Sequence, residues 1–112
     1  MYAYKVFRRN PDTGILSAVS QSIRYYKTRR NLRKRGWGPI CCFERLEQAR
    51  DFIKKDFIKK DSQDTIIYKV RGKETKGELC IWVEDGYMVW ESLLPRGTVL
   101  VDWFEFVEEV KL

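Results

Sequence analysis

The sequence predicts an α+β fold, in which a mostly antiparallel sheet of five to seven strands has one main helix packed on it. Short runs rich in β-branched and aromatic residues lie on both sides of a single segment whose apolar residues have helical spacing. The chain has 112 residues, of which 44% are hydrophobic and 14% aromatic, so a folded core is expected. This length is typical of one domain, spanning residues 1–112.

The first part of the chain predicts a β-hairpin. "YAYKVFRR" alternates its side chains between two faces, "NPDTG" has the residues of a tight turn, and "ILSAVS" returns as the second strand. The stretch "IRYYKT", residues 23–28, is a candidate third strand. Because neighbouring residues on a strand point to opposite faces, only one of Tyr25 and Tyr26 can face the same side as the basic residues.

The middle of the chain predicts the helix. In "ERLEQARDFIKKDFIKKD", Leu46, Ala49, Ile53 and Phe57 follow one another at spacings of three and four. The pentamer DFIKK occurs twice in this stretch, and since five residues is not a helical period, the second copy is expected to fit the core less well. The preceding "ICCF" is either a short buried strand or the start of the helix.

Strand patterns return in the second half, as "TIIYKV", "ELCIWV" and "YMVWES", with Asp85-Gly86 as a hairpin turn between the last two. "TVLVDWFEFVEEV" has apolar residues on both faces, which is typical of a central strand.

Two segments carry a resemblance to known proteins. "GPICCFERLEQARDFI" and the later "LPRGTVLVD" share a Gly-Pro-apolar start, the residues Phe, Ala and Phe, and a Pro-x-Gly-Thr-Val-Leu run. In these segments the chain resembles a family of small uncharacterised bacterial and phage proteins. The resemblance implies no activity, and no site residue follows from it.

Cysteine and histidine usage limits the chemistry. The three cysteines include the adjacent pair Cys41 and Cys42, no histidine is present, and no signal-peptide pattern or membrane-length apolar run occurs. We therefore expect reduced cysteines in a cytoplasmic protein that does not enter a membrane. Neither a metal ion nor an organic cofactor is predicted.

Charge is distributed unevenly along the chain. Residues 1–60 contain 16 basic and 5 acidic side chains, a net charge of +11, whereas residues 61–112 contain 6 and 11, a net charge of −5. Such asymmetry indicates an anionic partner for the basic half, unless the two halves lie against each other and neutralise.

The basic segment, residues 24–37, contains seven Lys or Arg and no acid. Cations this close repel one another, and phosphate groups would relieve the repulsion. The predicted phosphate-binding residues are Arg24, Lys27, Arg29, Arg30, Arg33, Lys34 and Arg35. Tyr26 and Trp37 are predicted to stack on a base. "GWGP" lacks the further residues of a phosphate-binding loop and is interpreted as a turn.

These features favour a non-catalytic binding protein for nucleic acid or a nucleotide-like anion, largely without sequence specificity, since no known readout motif is present. Two alternatives stay open. The basic segment is a solvated loop anchored by its aromatics, or it pairs with the acidic half of a second copy to form a homodimer.

Enzymatic activity is a weaker hypothesis. Without histidine, carboxylate chemistry remains, and Glu74-Thr75-Lys76 and Glu109-Val110-Lys111 match half of a metal-dependent nuclease motif, with Asp64 or Asp102 as partner. Nine Glu and eleven Lys in 112 residues give about one such pair by chance (9 × 11/112), so two matches are no excess.

Overall fold

The computed structural model describes residues 1–17, 23–33, 39–55, 65–75, 80–82, 88–90 and 94–111. Within these residues the chain forms a mostly antiparallel sheet and one α-helix, as predicted. The elements in chain order are β1 (Tyr2–Arg9), β2 (Leu16–Ser17), β3 (Arg24–Tyr25), β4 (Asn31–Leu32), β5 (Ile40–Phe43), α1 (Leu46–Lys55), β6 (Thr65–Glu74), β7 (Cys80–Trp82), β8 (Met88–Trp90) and β9 (Thr98–Val110).

The main sheet has seven strands and closes on itself. Strand β6 pairs with β1 along one edge and with β9 along the other, and β5 also joins β1 to β9. These four strands form a closed ring, with β2 and β3 continuing from β1 and β4 pairing with β9. Strands β7 and β8 pair antiparallel as a separate two-stranded sheet. Their predicted Asp85-Gly86 turn lies outside the described residues.

Strand β9 is the central strand that its apolar pattern predicts. One edge pairs with β6 over most of its length, while the other edge pairs first with β5 and then with β4. A register shift between Gly72 and Glu74 lets β6 follow β9 around the ring.

The first hairpin forms as predicted. Strand β1 pairs with β2, and the Asn10 side chain accepts hydrogen bonds from the backbone N–H groups of Asp12 (2.9 Å) and Thr13 (3.1 Å). Gly14 adopts a φ of 72°, which L side chains rarely reach. Turn chemistry therefore fixes the entry into β2.

Aromatic side chains fill the space enclosed by the closed ring of strands. Phe7 is fully buried and lies within 6.0 Å, between ring centroids, of Tyr25, Tyr68, Phe104 and Phe106. Tilted and edge-on aromatic pairs of this kind stabilise a core beyond the area that they bury. The other buried members of this core are Ala3, Leu16, Ile40, Cys42, Ile66, Val70 and Val101.

Helix α1 packs on the outer face of the ring, where Ala49 is fully buried in a cluster with Val6, Phe43 and Ile67. The Gln48 side chain accepts a hydrogen bond from the backbone N–H of Arg45 (2.9 Å), which caps the first turn. "ICCF" is a strand, β5, rather than the start of the helix. The second DFIKK copy, residues 56–60, lies outside the described residues.

None of the helical segments in the described residues has the length and apolarity needed to cross a membrane. Within the same residues, His, Cys, Asp and Glu do not gather in groups of three or more that could hold a metal ion.

Candidate functional site

Five of the seven predicted phosphate-binding residues belong to the described part of the basic segment. They lie on β3, on the turn formed by residues 26–30, and just after β4. The five are Arg24, Lys27, Arg29, Arg30 and Arg33. Lys34, Arg35 and the predicted stacking residue Trp37 lie outside the described residues, as does the predicted "GWGP" turn, residues 36–39, except for Pro39.

Tyr25 anchors the start of this segment in the core. Its ring lies edge-on to Phe7, at 5.6 Å between centroids, and to Phe104, at 5.1 Å. The neighbouring Tyr26, the first residue of the turn, is partly exposed and lies against the side chain of Arg24 instead of the core. The core thus fixes which tyrosine shares a surface with the basic residues.

The turn is held by Asn31, whose side chain is buried with 6% of its surface exposed. Asn31 Oδ1 accepts a hydrogen bond from the backbone N–H of Tyr26 (2.8 Å). Asn31 Nδ2 donates to the carbonyl of Tyr26 (3.0 Å) and to the carbonyl of Arg29 (3.2 Å). One buried amide therefore satisfies three backbone groups and gives the basic turn a defined shape.

The ring of Tyr26 lies beneath two guanidinium groups. The Cζ atom of Arg29 is 3.9 Å from the ring centroid, and that of Arg24 is 4.7 Å away. Both arginines are exposed. Stacking on the ring gathers two positive charges at one place on the surface.

A second aromatic–arginine cluster lies on β9. The guanidinium of Arg30 stacks on Trp103, 3.7 Å from Cζ to the ring centroid, and that of Arg71 lies 5.6 Å from the same centroid. Glu105 connects the two, since its Oε1 accepts a hydrogen bond from Arg71 and its Oε2 lies 3.9 Å from Nε of Arg30. Two cations thus share one carboxylate.

The cations of the basic segment divide into two groups. Arg30 faces Glu105, and Arg33 Nε lies 3.5 Å from Oδ1 of Asp102, so both meet carboxylates of β9. In the structure's described residues no carboxylate lies within ion-pair distance of Arg24, Lys27 or Arg29. Internal neutralisation therefore accounts for part of the segment and leaves three exposed cations, Arg24 on β3 and Lys27 and Arg29 on the turn.

These pairs are solvent-accessible, with between 33% and 49% of each side chain exposed. Exposed ion pairs contribute from about 0 to 1 kcal/mol, so water and salt compete with them readily. A further ion pair joins the two halves of the chain away from this segment, where Arg9 Nη2 lies 2.5 Å from Oε1 of Glu109. The hydrogen bond to Glu109 raises the pKa of Arg9, against the opposing effect of burial.

An open cleft of about 290 Å³ lies between the turn and the surface of β6 and β9. Its charged residues are Lys27, Arg29, Arg71 and Glu105, three cations against one carboxylate. Thr28 contributes a hydroxyl, and Phe106 and Val107 form an apolar wall. We call this the basic cleft.

Arg71 is the cleft residue that the sequence did not indicate. It lies on β6, far from the basic segment in sequence, and reaches the cleft because β6 pairs with β9 at Arg71 and Glu105. An alternating strand pattern identifies Arg71 as outward-facing, but only the pairing of strands brings it beside Lys27 and Arg29.

Several carboxylates in the described part of the acidic half, residues 61–112, pair with arginines of the same chain and do not form a separate acidic site. Asp102, Glu105 and Glu109 each face an arginine. Glu74 is the last residue of strand β6, and Asp64 lies outside the described residues.

Comparison of the chain with models of protein families, with curated proteins and with solved structures gave no match. The resemblance of "GPICCFERLEQARDFI" and "LPRGTVLVD" to small bacterial and phage proteins therefore stays a prediction.

Proposed function

We propose that the turn of residues 26–30, together with the basic cleft, binds the phosphate backbone of single-stranded nucleic acid without reading its sequence. The observation that carries this proposal is the set of three exposed cations, Arg24, Lys27 and Arg29, that no carboxylate in the described residues neutralises. Arg71, which lines the cleft, adds a fourth positive charge to this surface and shares it with Glu105.

Electrostatics favour an anion here. Arg24 and Arg29 lie 4.7 Å and 3.9 Å from the ring centroid of Tyr26, so their positive charges are separated by no more than the sum of these distances, which is comparable with the Debye length of about 8 Å at physiological ionic strength. The hydrogen bonds of the buried Asn31 fix the backbone of this turn. The charges therefore cannot separate without breaking these hydrogen bonds. Docked phosphates would remove the repulsion and release bound counterions.

The aromatic residue favours a single strand over a duplex. Tyr26 presents a ring that guanidinium groups already cover, and a flat nucleobase can take the place of one of them. Bases are available for stacking in single strands but not in a duplex, where they are stacked on one another. The turn and the cleft offer hydrogen-bond donors for phosphates, and contacts to phosphates carry no sequence information, which fits binding without sequence specificity.

The chemistry of this surface fits binding rather than catalysis. Its charged residues are arginine and lysine together with one carboxylate, Glu105, which accepts a hydrogen bond from Arg71. The proposal therefore includes no reaction and no cofactor. The cytoplasmic location expected from cysteine usage would expose the chain to nucleic acid.

Homodimerisation between basic and acidic surfaces has less support. Asp102, Glu105 and Glu109 of β9 face arginines of the same chain, which leaves fewer carboxylates for a second copy. Size-exclusion chromatography at low and high salt measures this alternative, because dimers held by charge dissociate as salt rises.

Fluorescence polarisation with labelled oligonucleotides tests the proposed function. A strand of about 12 nucleotides is long enough, since one small binding surface covers about 4–16 nucleotides. We expect the single strand to bind at low salt, several sequences to bind alike, and the matched duplex to bind more weakly. Absence of binding to any strand at low salt would contradict the proposal.

A further inference from the structure

We propose that the basic cleft selects a terminal phosphomonoester of a nucleic acid strand, and that Glu105 is the internal competitor that this group displaces. The inference rests on the proposed function and specifies which phosphate enters the cleft. It rests on the position of Glu105 among the cations, on the net charge of the cleft and on its size.

Glu105 occupies the arginines that a phosphate would need. Its Oε1 accepts a hydrogen bond from Arg71, and its Oε2 lies 3.9 Å from Nε of Arg30. Both guanidinium groups lie over the ring of Trp103, so the ring restricts how far either can move. A phosphate that binds Arg71 through two hydrogen bonds must take the place of this carboxylate.

The charge of the cleft matches a dianion. Lys27, Arg29 and Arg71 against Glu105 give a net formal charge of +2. A phosphomonoester carries about −1.5 to −2 at neutral pH, whereas each phosphodiester within a strand carries −1. Among the groups of a nucleic acid, the terminal phosphate is therefore the one whose negative charge balances the net positive charge of the cleft.

Displacement of Glu105 discriminates between the two kinds of phosphate. A phosphodiester offers Arg71 the same single negative charge that Glu105 already supplies, so the exchange gains little. A phosphomonoester offers a second charge and a third terminal oxygen, which can reach Lys27 or Arg29 while the others bind Arg71. Glu105 thus weakens binding of the backbone more than binding of the end.

The dimensions of the cleft agree with one terminal group. Its volume of about 290 Å³ is at the lower end of small-ligand sites, and the exposed Thr28 adds a hydroxyl donor near the cations. The adjacent Arg24 and Tyr26 lie outside the cleft, where the nucleotides next to the end would continue along the turn.

Fluorescence polarisation with one labelled single strand in three forms tests the inference on the unmodified protein. The forms carry a 5′-phosphate, a 3′-phosphate or hydroxyls at both ends, with the label attached inside the strand. We expect one phosphorylated end to bind about tenfold more tightly than the hydroxyl form, since hydrogen bonds to charged groups have effects of at least this size. Inorganic phosphate should compete more strongly against that form than against the hydroxyl form.

The variant Glu105→Gln tests the role of the competitor, with Glu109→Gln as its matched control. Both changes remove one negative charge from β9, but Glu109 pairs with Arg9, away from the cleft. We expect Glu105→Gln to strengthen binding of the hydroxyl strand about fivefold and to reduce the preference for the phosphorylated end, because one good charge-assisted contact is regained. Glu109→Gln should change the affinity for the hydroxyl strand and the preference for the phosphorylated end by less than twofold each.

The outcomes separate this inference from the proposed function. If no form of the strand binds at low salt, the proposed function fails and the inference fails with it. If all three forms bind the unmodified protein equally, the terminal-phosphate inference alone is wrong. Weaker binding by a folded Glu105→Gln variant contradicts the competitor role and identifies Glu105 as a residue that positions Arg71 for the ligand.

Discussion

The buried side chain of Asn31 closes the basic turn onto Tyr26, accepting a hydrogen bond from its backbone N–H at 2.8 Å and donating one to its carbonyl at 3.0 Å. These two hydrogen bonds between Asn31 and Tyr26 enclose the stretch of chain that contains Lys27 and Arg29. The amide thus connects the core of the protein to the shape of the proposed binding surface, and its removal should affect both stability and binding.

We predict that Asn31→Ala lowers the free energy of unfolding by about 1–3 kcal/mol, because it leaves the N–H and carbonyl of Tyr26 without their buried partner. Asn31→Asp should have an intermediate effect, since a carboxylate can accept from the N–H of Tyr26 but cannot donate to its carbonyl. Urea denaturation with unchanged m-values measures both changes.

Asn10→Ala is the matched control for this prediction. Asn10 also accepts two backbone hydrogen bonds in a turn, but it is exposed, so water can replace its side chain. We expect a loss of at most about 0.5 kcal/mol and unchanged oligonucleotide binding. Equal losses of stability in the two alanine variants would contradict the role assigned to Asn31.

Gly72 is a position where β6 approaches β9 too closely for a side chain. A Cβ atom there would lie 2.7 Å from the carbonyl oxygen of Trp103 and 3.1 Å from Cγ1 of Val101. We predict that Gly72→Ala destabilises the protein by about 1–3 kcal/mol, since backbone must shift to admit the methyl group. Lys73→Ala, an exposed change on the same strand, should stay within about 0.5 kcal/mol.

The same change tests the link between fold and site. Gly72 lies between Arg71 and the register shift of β6, and Trp103 is the ring on which Arg30 and Arg71 lie. A folded Gly72→Ala variant should therefore also bind single strands more weakly. Full stability and full binding together would show that this close approach is not present in solution.

Gly97 supports the start of helix α1. Its φ of 86° is unfavourable for other residues, and a Cβ atom there would lie 2.1 Å from Cδ of Gln48, the side chain that caps the helix. We predict that Gly97→Ala costs about 1–3 kcal/mol, through backbone strain and displacement of Gln48. Circular dichroism during thermal unfolding measures the loss of stability. The control is Gln48→Ala, which removes only the cap. An equal loss of stability in both variants would show that the strain at Gly97 contributes nothing.

Much of the sheet could be predicted because its long strands have strong patterns. The apolar residues on both faces of β9 indicate a central strand, and the turn residues between Asn10 and Gly14 indicate the first hairpin. Period-two alternation also requires Tyr25 and Tyr26 to face opposite sides, as they do. These features depend on neighbouring residues, which the sequence displays directly.

The remaining features depend on pairing between distant segments. Strand β4 has two residues, and it exists because Asn31 and Leu32 pair with Phe104 and Trp103 of β9. No local pattern indicates so short a strand, and none indicates that Arg71 enters the cleft. Likewise the carboxylates facing Arg30 and Arg33 are supplied by β9, so composition alone could not divide the basic segment into paired and exposed cations.

The salt dependence of single-strand binding in two triple variants with equal net charge tests the central claim most directly. One variant neutralises the turn, with Arg24→Gln, Lys27→Gln and Arg29→Gln; the other neutralises the helix region, with Arg45→Gln, Arg50→Gln and Lys54→Gln. About three phosphate contacts give the unmodified protein a slope near −2 when the logarithm of affinity is plotted against that of salt concentration. We predict that the turn variant loses most of this slope and that the helix variant keeps it. Equal slopes and equal affinities for the two variants would contradict the account, because binding would then depend on total charge rather than on the turn that Asn31 holds.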